Sequence, residues 1–324
     1  MPIGSFAASG KNVDRLITSL NSQLNQIIST TETKYQELAL VDSESIAETA
    51  LYPMEVSSAS EIDYGPTEER KFSDAGLVTF SCNATRIGQS EGKRIPIGKI
   101  YDPFKYVQQQ APDLARQCKK IWDRRLARLI NLNGLAIDGV PFFGTHSSNL
   151  LKSGAVNFTN DITIPGINQA SLTSILDTFI QIPGYDGKLM NEDMGTPIFA
   201  TGSMEVKVAL DQFFNEGLIA QPLPGGGASV NTRLVGAGRT LFMPELVSEA
   251  KGNPLARKRF YVINNQYGNR RAFIVRKVQE PQFHISPGND DAEHINNSRL
   301  FYYQAFGGAN YAMPQLAMRC TLPL

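Results

Sequence analysis

Cysteine and histidine are both scarce in this sequence. Among 324 residues there are three cysteines, Cys82, Cys118 and Cys320, and three histidines. An odd number of widely spaced cysteines supplies neither a disulfide framework nor the paired spacing of a zinc site. We therefore expect each cysteine to be a small, buried apolar side chain, and we predict no bound metal and no cofactor.

Net charge and long apolar runs are also missing. Lysine plus arginine and aspartate plus glutamate both total 31, which gives a formal net charge of 0. This balance excludes the global basic field of a dedicated DNA-binding domain, and weak self-repulsion suits a protein that associates with its own copies. No stretch approaches the roughly 18 apolar residues of a membrane-spanning helix, and the first residues lack a secretory signal. We expect no membrane contact and synthesis in the cytoplasm.

Catalytic and phosphate-binding motifs are absent as well. His146 adjoins Ser147, but sequence neighbours do not easily point at each other, and the chain has no G-x-S-x-G elbow. We interpret His146 as a hydrogen-bonded loop residue. The run Gly225, Gly226 and Gly227 lacks the rest of a phosphate-loop motif and predicts a flexible surface loop. The sequence therefore predicts no catalytic residue and no enzyme.

The clearest pattern that is present is an amphipathic helix over residues 111–133. Its apolar stripe consists of Leu114, Cys118, Ile121, Trp122, Leu126, Leu129 and Ile130. The opposite face is basic, with Arg116, Lys119, Lys120, Arg124, Arg125 and Arg128. Gly134 is expected to stop the helix. We call this segment the spine helix; its basic face either meets solvent or is presented to a polyanion or an acidic neighbouring subunit.

Two segments on the N-terminal side of the spine helix suggest contacts with other molecules. Residues 11–38 predict a second amphipathic helix, which either packs on its own domain or reaches a neighbouring subunit. Residues 76–87 and 93–100 alternate like strands around a turn composition at residues 88–92. We predict a two-stranded hairpin that, lacking a large apolar face, needs a partner for stability.

The remainder of the chain predicts both strands and helices, a pattern typical of either an α/β or an α+β unit, and the fold class that we predict for the chain is α+β. Strands are predicted at residues 196–200, 234–243, 259–263, 270–278, 299–308 and 309–320, with the last two joined by a turn at residues 307–308. Helices are predicted at residues 169–181 and 203–216. Residues 151–168 and 244–258 are predicted to be loops.

Two groups of residues carry a family resemblance. The first is the loop at residues 137–150, with an Asp138-Gly139 turn, Phe142, Phe143 and a polar tip "THSSNL". It resembles the "DG–FF–HP" loop of Mu-like prophage major head subunits, with His-Ser here in place of His-Pro. The second is the strand "RRAFIVRK" and the closing pattern "YYQAFGGANYAMPQLAM". Residues 40–324 thus resemble tailed-bacteriophage major head proteins of the Hong Kong 97-type fold.

The resemblance implies a domain order and a function. It implies an N-terminal arm (residues 1–60), an extended hairpin loop (61–104), a peripheral domain with the spine helix (105–180), an α/β axial domain (181–265) and returning peripheral strands (266–324). It implies a structural subunit that assembles into pentamers and hexamers of an icosahedral head around double-stranded DNA. The alternative is the shell of an encapsulin-like bacterial nanocompartment, which shares this fold; the N-terminal helix argues against it.

The resemblance also implies partners and contact residues. Partners would be copies of the chain, a portal protein, scaffold or decoration proteins, and packaged DNA bound without sequence preference, in a virion assembled in the bacterial cytoplasm. The intersubunit loop would use Arg70, Lys71, Phe72, Arg86, Lys93, Arg94 and Lys99. The axial loop would use Gly225, Gly226 and Gly227 around five- and six-fold axes, and DNA would meet Arg116, Lys120, Arg124 and Arg128.

Overall fold

The structure is a computed structural model that describes most of the chain. The described residues are 26–27, 29–43, 49–55, 77–88, 93–96, 112–113, 115–147, 157–185, 189–192, 194–214, 221–222, 228–229, 234, 236–265, 270–285 and 298–323. The named helices are α1 (Tyr35–Leu38), α2 (Ile121–Leu132), α3 (Gln169–Ile180), α4 (Met204–Phe214) and α5 (Glu245–Ser248), with 3-10 helices at Pro254–Lys258 and Pro314–Leu316.

Strands and helices are both present along the chain, which confirms the predicted mixture of helices and sheets. The strands are β1 (Ala39–Asp42), β2 (Thr49–Glu55), β3 (Leu77–Asn83), β4 (Thr85–Gly88), β5 (Lys93–Pro96), β6 (Thr145–Ser147), β7 (Asn157–Thr159), β8 (Asp161–Thr163), β9 (Ile198–Thr201), β10 (Gln221–Pro222), β11 (Ala228–Ser229), β12 (Arg239–Phe242), β13 (Arg259–Ile263), β14 (Phe273–Ile285), β15 (Ser298–Tyr311) and β16 (Ala317–Thr321).

The chain forms two compact units. The first contains Met1–Thr33, Thr85–Trp122 and Lys277–Gly307, and the second contains Lys34–Ala84, Asp123–Arg276 and Gly308–Leu324. The finer division into arm, extended loop, peripheral and axial domains remains a prediction.

A five-stranded sheet of order β12-β9-β13-β16-β8 forms the centre of the second unit. β13 runs antiparallel to both of its neighbours, β9 and β16, whereas β12 with β9 and β8 with β16 are parallel. Because side chains alternate along each strand, this sheet has two distinct faces. One face carries Phe199, Phe260, Val262 and Met318, and these residues belong to one buried cluster with apolar side chains of α3 and α4. We call it the helix face.

The opposite face of the central sheet carries Tyr261 and Arg319, which are cross-strand partners. The guanidinium of Arg319 lies 5.1 Å from the ring centroid of Phe143, and the Phe143 and Tyr261 rings are 5.4 Å apart. Arg319 also donates two hydrogen bonds, of 2.8 and 2.6 Å, to the carboxylate of Asp161. The segment that follows α2 therefore packs here, and we call this side the loop face.

The predicted hairpin at residues 76–100 is wrong, because its strands pair with other segments. β3 runs antiparallel to β2. Gly88 of β4 pairs with Gln304, and Lys93 of β5 pairs with Phe301, both antiparallel to β15. β4 and β5 therefore run in the same direction, end to end along one strand, and do not form the two arms of a hairpin. The long ladder of β15 supplies the partner that the polar segment needs.

The spine helix is shorter than predicted. Residues 112–113 and 115–119 are helical, but Lys120 is a turn, and the regular helix begins at Ile121. The sequence contains no helix breaker at this position. The apolar stripe is confirmed at Cys118, Ile121, Trp122, Leu126 and Ile130, which are all buried. The buried side is wider than predicted, because it also includes Asp123 and Ala127.

The predicted N-terminal helix over residues 11–38 is interrupted, and residues 11–25 lie outside the described part. Residues 26–27 and 29–30 are helical, residues 31–34 are not, and α1 then begins at Tyr35. The buried carboxylate of Asp123 accepts the backbone N–H groups of Lys34 and Tyr35 at 2.9 and 2.8 Å. These donors at a helix start need an acceptor, and a side chain 88 residues away supplies it, so sequence periodicity could not reveal the break.

Three further expectations are corrected. Residues 151–168 were predicted to be a loop but contain β7 and β8, and residues 244–258 contain α5 and a 3-10 helix. The turn predicted at Gly307-Gly308 is absent, because β15 continues straight through it. Gly308 instead allows β15 to pack closely against Asn83, because a Cβ atom at this position would lie 2.1 Å from the Asn83 carbonyl oxygen.

Candidate functional site

The loop that follows α2 is one of the two segments that carry the family resemblance, and the structure shows how it is fixed. Asn133 ends the helix in the left-handed region, with φ of 50°, a conformation that asparagine tolerates better than most residues. Its side chain accepts the Phe143 N–H at 2.7 Å and donates to the Phe143 carbonyl at 3.1 Å. Asn133, and not the predicted Gly134, is therefore the left-handed stop.

The two adjacent phenylalanines anchor this loop. Phe142 and Phe143 are buried and meet edge to face, with ring centroids 5.0 Å apart. Phe142 also lies 4.8 Å from the ring of Tyr311 and 5.1 Å from that of Phe273. Aromatic pairs at these distances are favourable beyond the area they bury. The loop is thus joined to both long strands, β14 and β15.

His146 is the hydrogen-bonded residue that the sequence predicts, but it does not lie at an exposed polar tip. It belongs to β6 and is buried. Its Nδ1 lies 2.7 Å from a carboxylate oxygen of Asp138 and its Nε2 lies 3.0 Å from the Phe142 carbonyl. Both ring nitrogens are hydrogen-bonded to groups of the same loop, so His146 stabilises the conformation of this loop.

A buried asparagine, which the sequence did not single out, connects this loop to the end of the chain. Asn160 donates to the carbonyls of Phe142 and Pro314 at 2.9 and 3.0 Å, and its side-chain oxygen accepts the Gly144 N–H at 2.8 Å. All polar atoms of the amide side chain are used, which a buried amide requires. The segment around Asn160 was predicted to be a loop, so its sequence did not mark this residue.

Two arginines of the basic face predicted on the spine helix have acidic partners within the chain. Arg128 is exposed but donates from Nε to Glu249 at 2.5 Å, and Arg116 lies 3.6 Å from Asp113. Lys120 and Arg124 are half-buried. Burial, and secondarily the charge of Arg128, lower the pKa of the neighbouring Arg125. Contact of this face with DNA remains a prediction.

The intersubunit loop residues are only partly described. Arg70, Lys71, Phe72 and Lys99 lie outside the described residues. The backbones of Arg86, Lys93 and Arg94 follow β15: Arg86 pairs with Phe306, Lys93 with Phe301 and Arg94 with Leu300. The structure thus brings these three positions onto one strand edge, and their contacts in an assembly remain a prediction.

Two short paired strands, β10 and β11, flank the glycine-rich segment in the sequence. Gln221 pairs with Ser229 and Pro222 with Ala228, in antiparallel fashion. Gly225, Gly226 and Gly227 fall between these strands and lie outside the described residues. The position of these glycines near a symmetry axis remains a prediction.

The described residues contain no constellation typical of a chemical site. No group of three or more His, Cys, Asp or Glu side chains among them could hold a metal ion. Within the same part of the chain, no helix is long and apolar enough to cross a membrane. The depression along α3 is lined by polar residues of that helix and its two ends, such as Thr173, Asp177 and Gln181. Cys82, Cys118 and Cys320 are free and buried, as predicted.

Comparison with solved structures identifies the fold. The chain superposes on a subunit of the procapsid of bacteriophage JBD30 with a TM-score of 0.51 and 12% identity, over 98% of this chain and 77% of that one. It matches the capsid of cyanophage P-SCSP1u with a TM-score of 0.52 and 13% identity, over 90% and 88% of the two chains. For the virus-like particle of Pyrococcus furiosus the values are 0.50 and 8%, over 94% and 98%.

Sequence comparison adds nothing to this likeness, because no protein-family model and no curated protein matches the chain. At such low identities the similarity concerns the fold. The sequence resemblance to tailed-phage head proteins and the structural likeness agree at that level. The chain therefore has the mixed helix-and-sheet fold of the tailed-phage capsid proteins, the Hong Kong 97-type fold.

Proposed function

We propose that this chain is a structural subunit of a phage head, which assembles with its own copies into pentamers and hexamers of an icosahedral shell. The observation that carries the proposal is the capsid-type fold over almost the whole chain. The scarcity of histidine and the full use of His146 within its own loop support a structural role. Net charge of 0 favours association between copies.

The same proposal assigns roles to the segments that remain predictions. The strands β4 and β5 and the residues around them form the intersubunit loop, residues 1–60 form an arm, and the hairpin of β10 and β11 presents Gly225, Gly226 and Gly227 at the capsomer axes. The head encloses double-stranded DNA through sequence-independent contacts. Portal, scaffold and decoration proteins are further partners, and assembly takes place in the bacterial cytoplasm. The sequence motifs favour the Mu-like branch.

The second candidate is a nanocompartment shell that holds protein cargo. The likeness to the virus-like particle of Pyrococcus furiosus, which extends over 98% of that chain, supports this second candidate. The two candidates differ in what the shell contains, and the amphipathic N-terminal segment argues for the phage head.

Sedimentation of the purified chain, followed by electron microscopy of each fraction, tests the proposal. Closed shells that co-purify with nuclease-protected double-stranded DNA from infected cells support the phage head. Shells that carry protein cargo and no DNA favour the nanocompartment. A chain that sediments only as a monomer at every concentration contradicts both.

The intersubunit loop has its own test. Reversal of charge at Arg70 and Lys71 to glutamate removes two predicted contacts with a neighbouring subunit, so we expect shells to be lost while the monomer stays folded. The matched control reverses the exposed residues Lys251 and Arg257, which the proposal places in no contact. If both double variants assembled equally well, Arg70 and Lys71 would not contribute to contacts between subunits.

A further inference from the structure

Two exposed apolar patches on the second unit remain unexplained by its own packing. The first surrounds the end of α2, where Leu132 is 74% exposed, Leu135 is 67% exposed and Ile137 is 41% exposed. These three residues fall within six consecutive positions of the chain. Exposed apolar side chains that are grouped mark an interaction surface, whereas single ones are ordinary. We call these three residues the α2 tip patch.

The α2 tip patch is held rigidly, which makes it suitable for specific binding. Ala136 N–H donates to the Val140 carbonyl at 2.7 Å, and Gly139 N–H donates to the Ala136 carbonyl at 3.1 Å. Gly139 itself has φ of 77°, which a tight turn needs. A preformed loop loses little conformational entropy on binding, so the exposed aliphatic side chains are presented at low cost.

The second patch lies on the outer side of α4. Met204 is 55% exposed and Val208 is 49% exposed, and at a spacing of four residues they are neighbours on the helix surface. The other side of α4 buries Val206, Leu210 and Phe213 in the cluster on the helix face of the sheet. Met204 and Val208 therefore point away from the sheet, and we call them the α4 patch.

The two patches lie on opposite sides of one sheet. α4 packs on the helix face, through Phe199, Phe260 and Val262. The loop behind the α2 tip patch packs on the loop face, where Phe143 contacts Tyr261. One subunit thus cannot bring its own two patches together, but two copies related by translation or rotation can do so.

Charge next to the patches is complementary. Arg128, one helical turn before Leu132, is exposed beside the α2 tip patch, although it also binds Glu249. Glu205 is exposed beside Met204, with Lys258 3.5 Å from its carboxylate. Arg128 is 52% exposed and its partner Glu249 is 14% exposed, whereas Glu205 is 78% exposed and its partner Lys258 is 34% exposed. The outer charge is thus positive at one patch and negative at the other, which favours patch-to-patch pairing over self-pairing.

We propose that the α2 tip patch of one subunit packs against the α4 patch of the next. The proposal rests on the proposed function, because it takes the partner to be a second copy of this chain. A contact between two different patches is heterologous, and its repetition closes into a ring when the rotation allows. The contact therefore defines the neighbour-to-neighbour interface within one ring of subunits.

Charge substitution tests the contact. We expect Leu135→Glu and Val208→Lys each to lower the assembled fraction at least tenfold, measured by sedimentation, and the combination to recover assembly because the new charges attract. Thr173→Glu and Ser174→Lys place the same charges on the exposed polar side of α3 and serve as matched controls. Thermal unfolding of each unassembled subunit checks that the exposed substitutions leave the fold intact.

The outcomes separate the inference from the proposed function. If the parent chain forms shells and Leu135→Glu and Val208→Lys do so as well as their controls, the inference is overturned while the shell function stands. If the parent chain forms no shells, the shell function fails, and cross-linking decides the inference. We then expect an oxidised disulfide between Leu135→Cys and Val208→Cys chains in a concentrated mixture; cross-links within either variant alone, or none, overturn it.

Discussion

The phenolic hydroxyl of Tyr311 donates a hydrogen bond of 2.5 Å to the carbonyl oxygen of Leu129, which lies 182 residues earlier in the chain. The same hydroxyl accepts the Gly134 N–H at 2.7 Å. The Leu129 carbonyl also accepts the Asn133 N–H at 3.3 Å, so the phenol is a second donor to the last turn of the helix. Strand β15 thereby fixes both the end of α2 and the start of the loop that follows.

Tyr311→Phe removes that hydroxyl and keeps the ring. We expect the free energy of unfolding of the unassembled subunit to fall by about 1–3 kcal/mol, since a partly buried carbonyl and an N–H group both lose a partner. Chemical denaturation measures the change. Thr178→Ala removes an exposed hydroxyl bond on α3 and should change stability by less than about 0.5 kcal/mol; equal effects from both variants would argue against a special role for Tyr311.

Gly308→Ala tests the close approach of β15 and β3. The added methyl group would lie 2.1 Å from the Asn83 carbonyl oxygen, a backbone atom that cannot move alone. We expect a loss of at least about 2 kcal/mol, because overpacking forces backbone shifts. Gly166→Ala, where no atom lies within 4 Å, is the matched control and should be close to neutral. A neutral Gly308→Ala would show that the two strands are not in contact as described.

Asp123→Ala leaves the backbone N–H groups of Lys34 and Tyr35 without their acceptor. The expected loss is about 2–4 kcal/mol, since each unsatisfied buried donor costs about 1–3 kcal/mol. Hydrogen exchange should show the two amides losing protection first. Asp177→Ala, on the exposed side of α3, is the control, and unchanged protection in Asp123→Ala would contradict the cap.

Alkaline pH should weaken the fold. Burial raises the pKa of the Cys82 thiol from 9.0 to about 11 and that of the Tyr261 phenol from 10.0 to about 12. At pH 8 and below both groups are protonated in the folded and unfolded states. As the pH rises through 9 the unfolded chain loses protons that the folded chain keeps, so the free energy of unfolding falls.

The pH range for this measurement follows from the folded and unfolded pKa values of Cys82. Between pH 8 and 10.5 the Cys82 thiol alone should remove about 2 kcal/mol, at about 1.4 kcal/mol for each unit of difference. Urea unfolding at several pH values gives the slope, and Cys82→Ala should make it shallower. An unchanged slope in that variant would mean that the thiol is accessible to water in the folded state.

Much of the fold could be predicted from local sequence patterns. The helix at residues 169–181, the helix at residues 203–216 and the strand at residues 259–263 agree with α3, α4 and β13 within two residues. The apolar periodicity and the absence of breakers are sufficient there, because each element buries its own apolar side in the core.

The errors have a common physical cause, which is a partner distant in the sequence. The break before α1 depends on Asp123, the straight course of β15 depends on Asn83, and the direction of β5 depends on pairing with Phe301. Local composition shows glycines and polar residues at these positions but not what they meet. The short strands β7 and β8 were missed for the same reason, since their stability comes from pairing with β6 and β16.

The candidate site divides in the same way. The sequence motif was sufficient to predict that Phe142 and Phe143 are buried and that His146 forms hydrogen bonds. The exposed patch beyond them could not, because apolar side chains at residues 132–137 look like core in a sequence, and only the packed structure shows which of them face solvent.

Electron cryomicroscopy of the purified full chain tests the central claim most directly. We predict closed shells in which copies of this fold surround the five-fold vertices and further copies form hexamers. Particles of that kind would also show which segments of neighbouring subunits meet. Monomers or small open oligomers at every concentration, from a chain whose thermal unfolding is cooperative, would contradict the claim that it is a shell subunit.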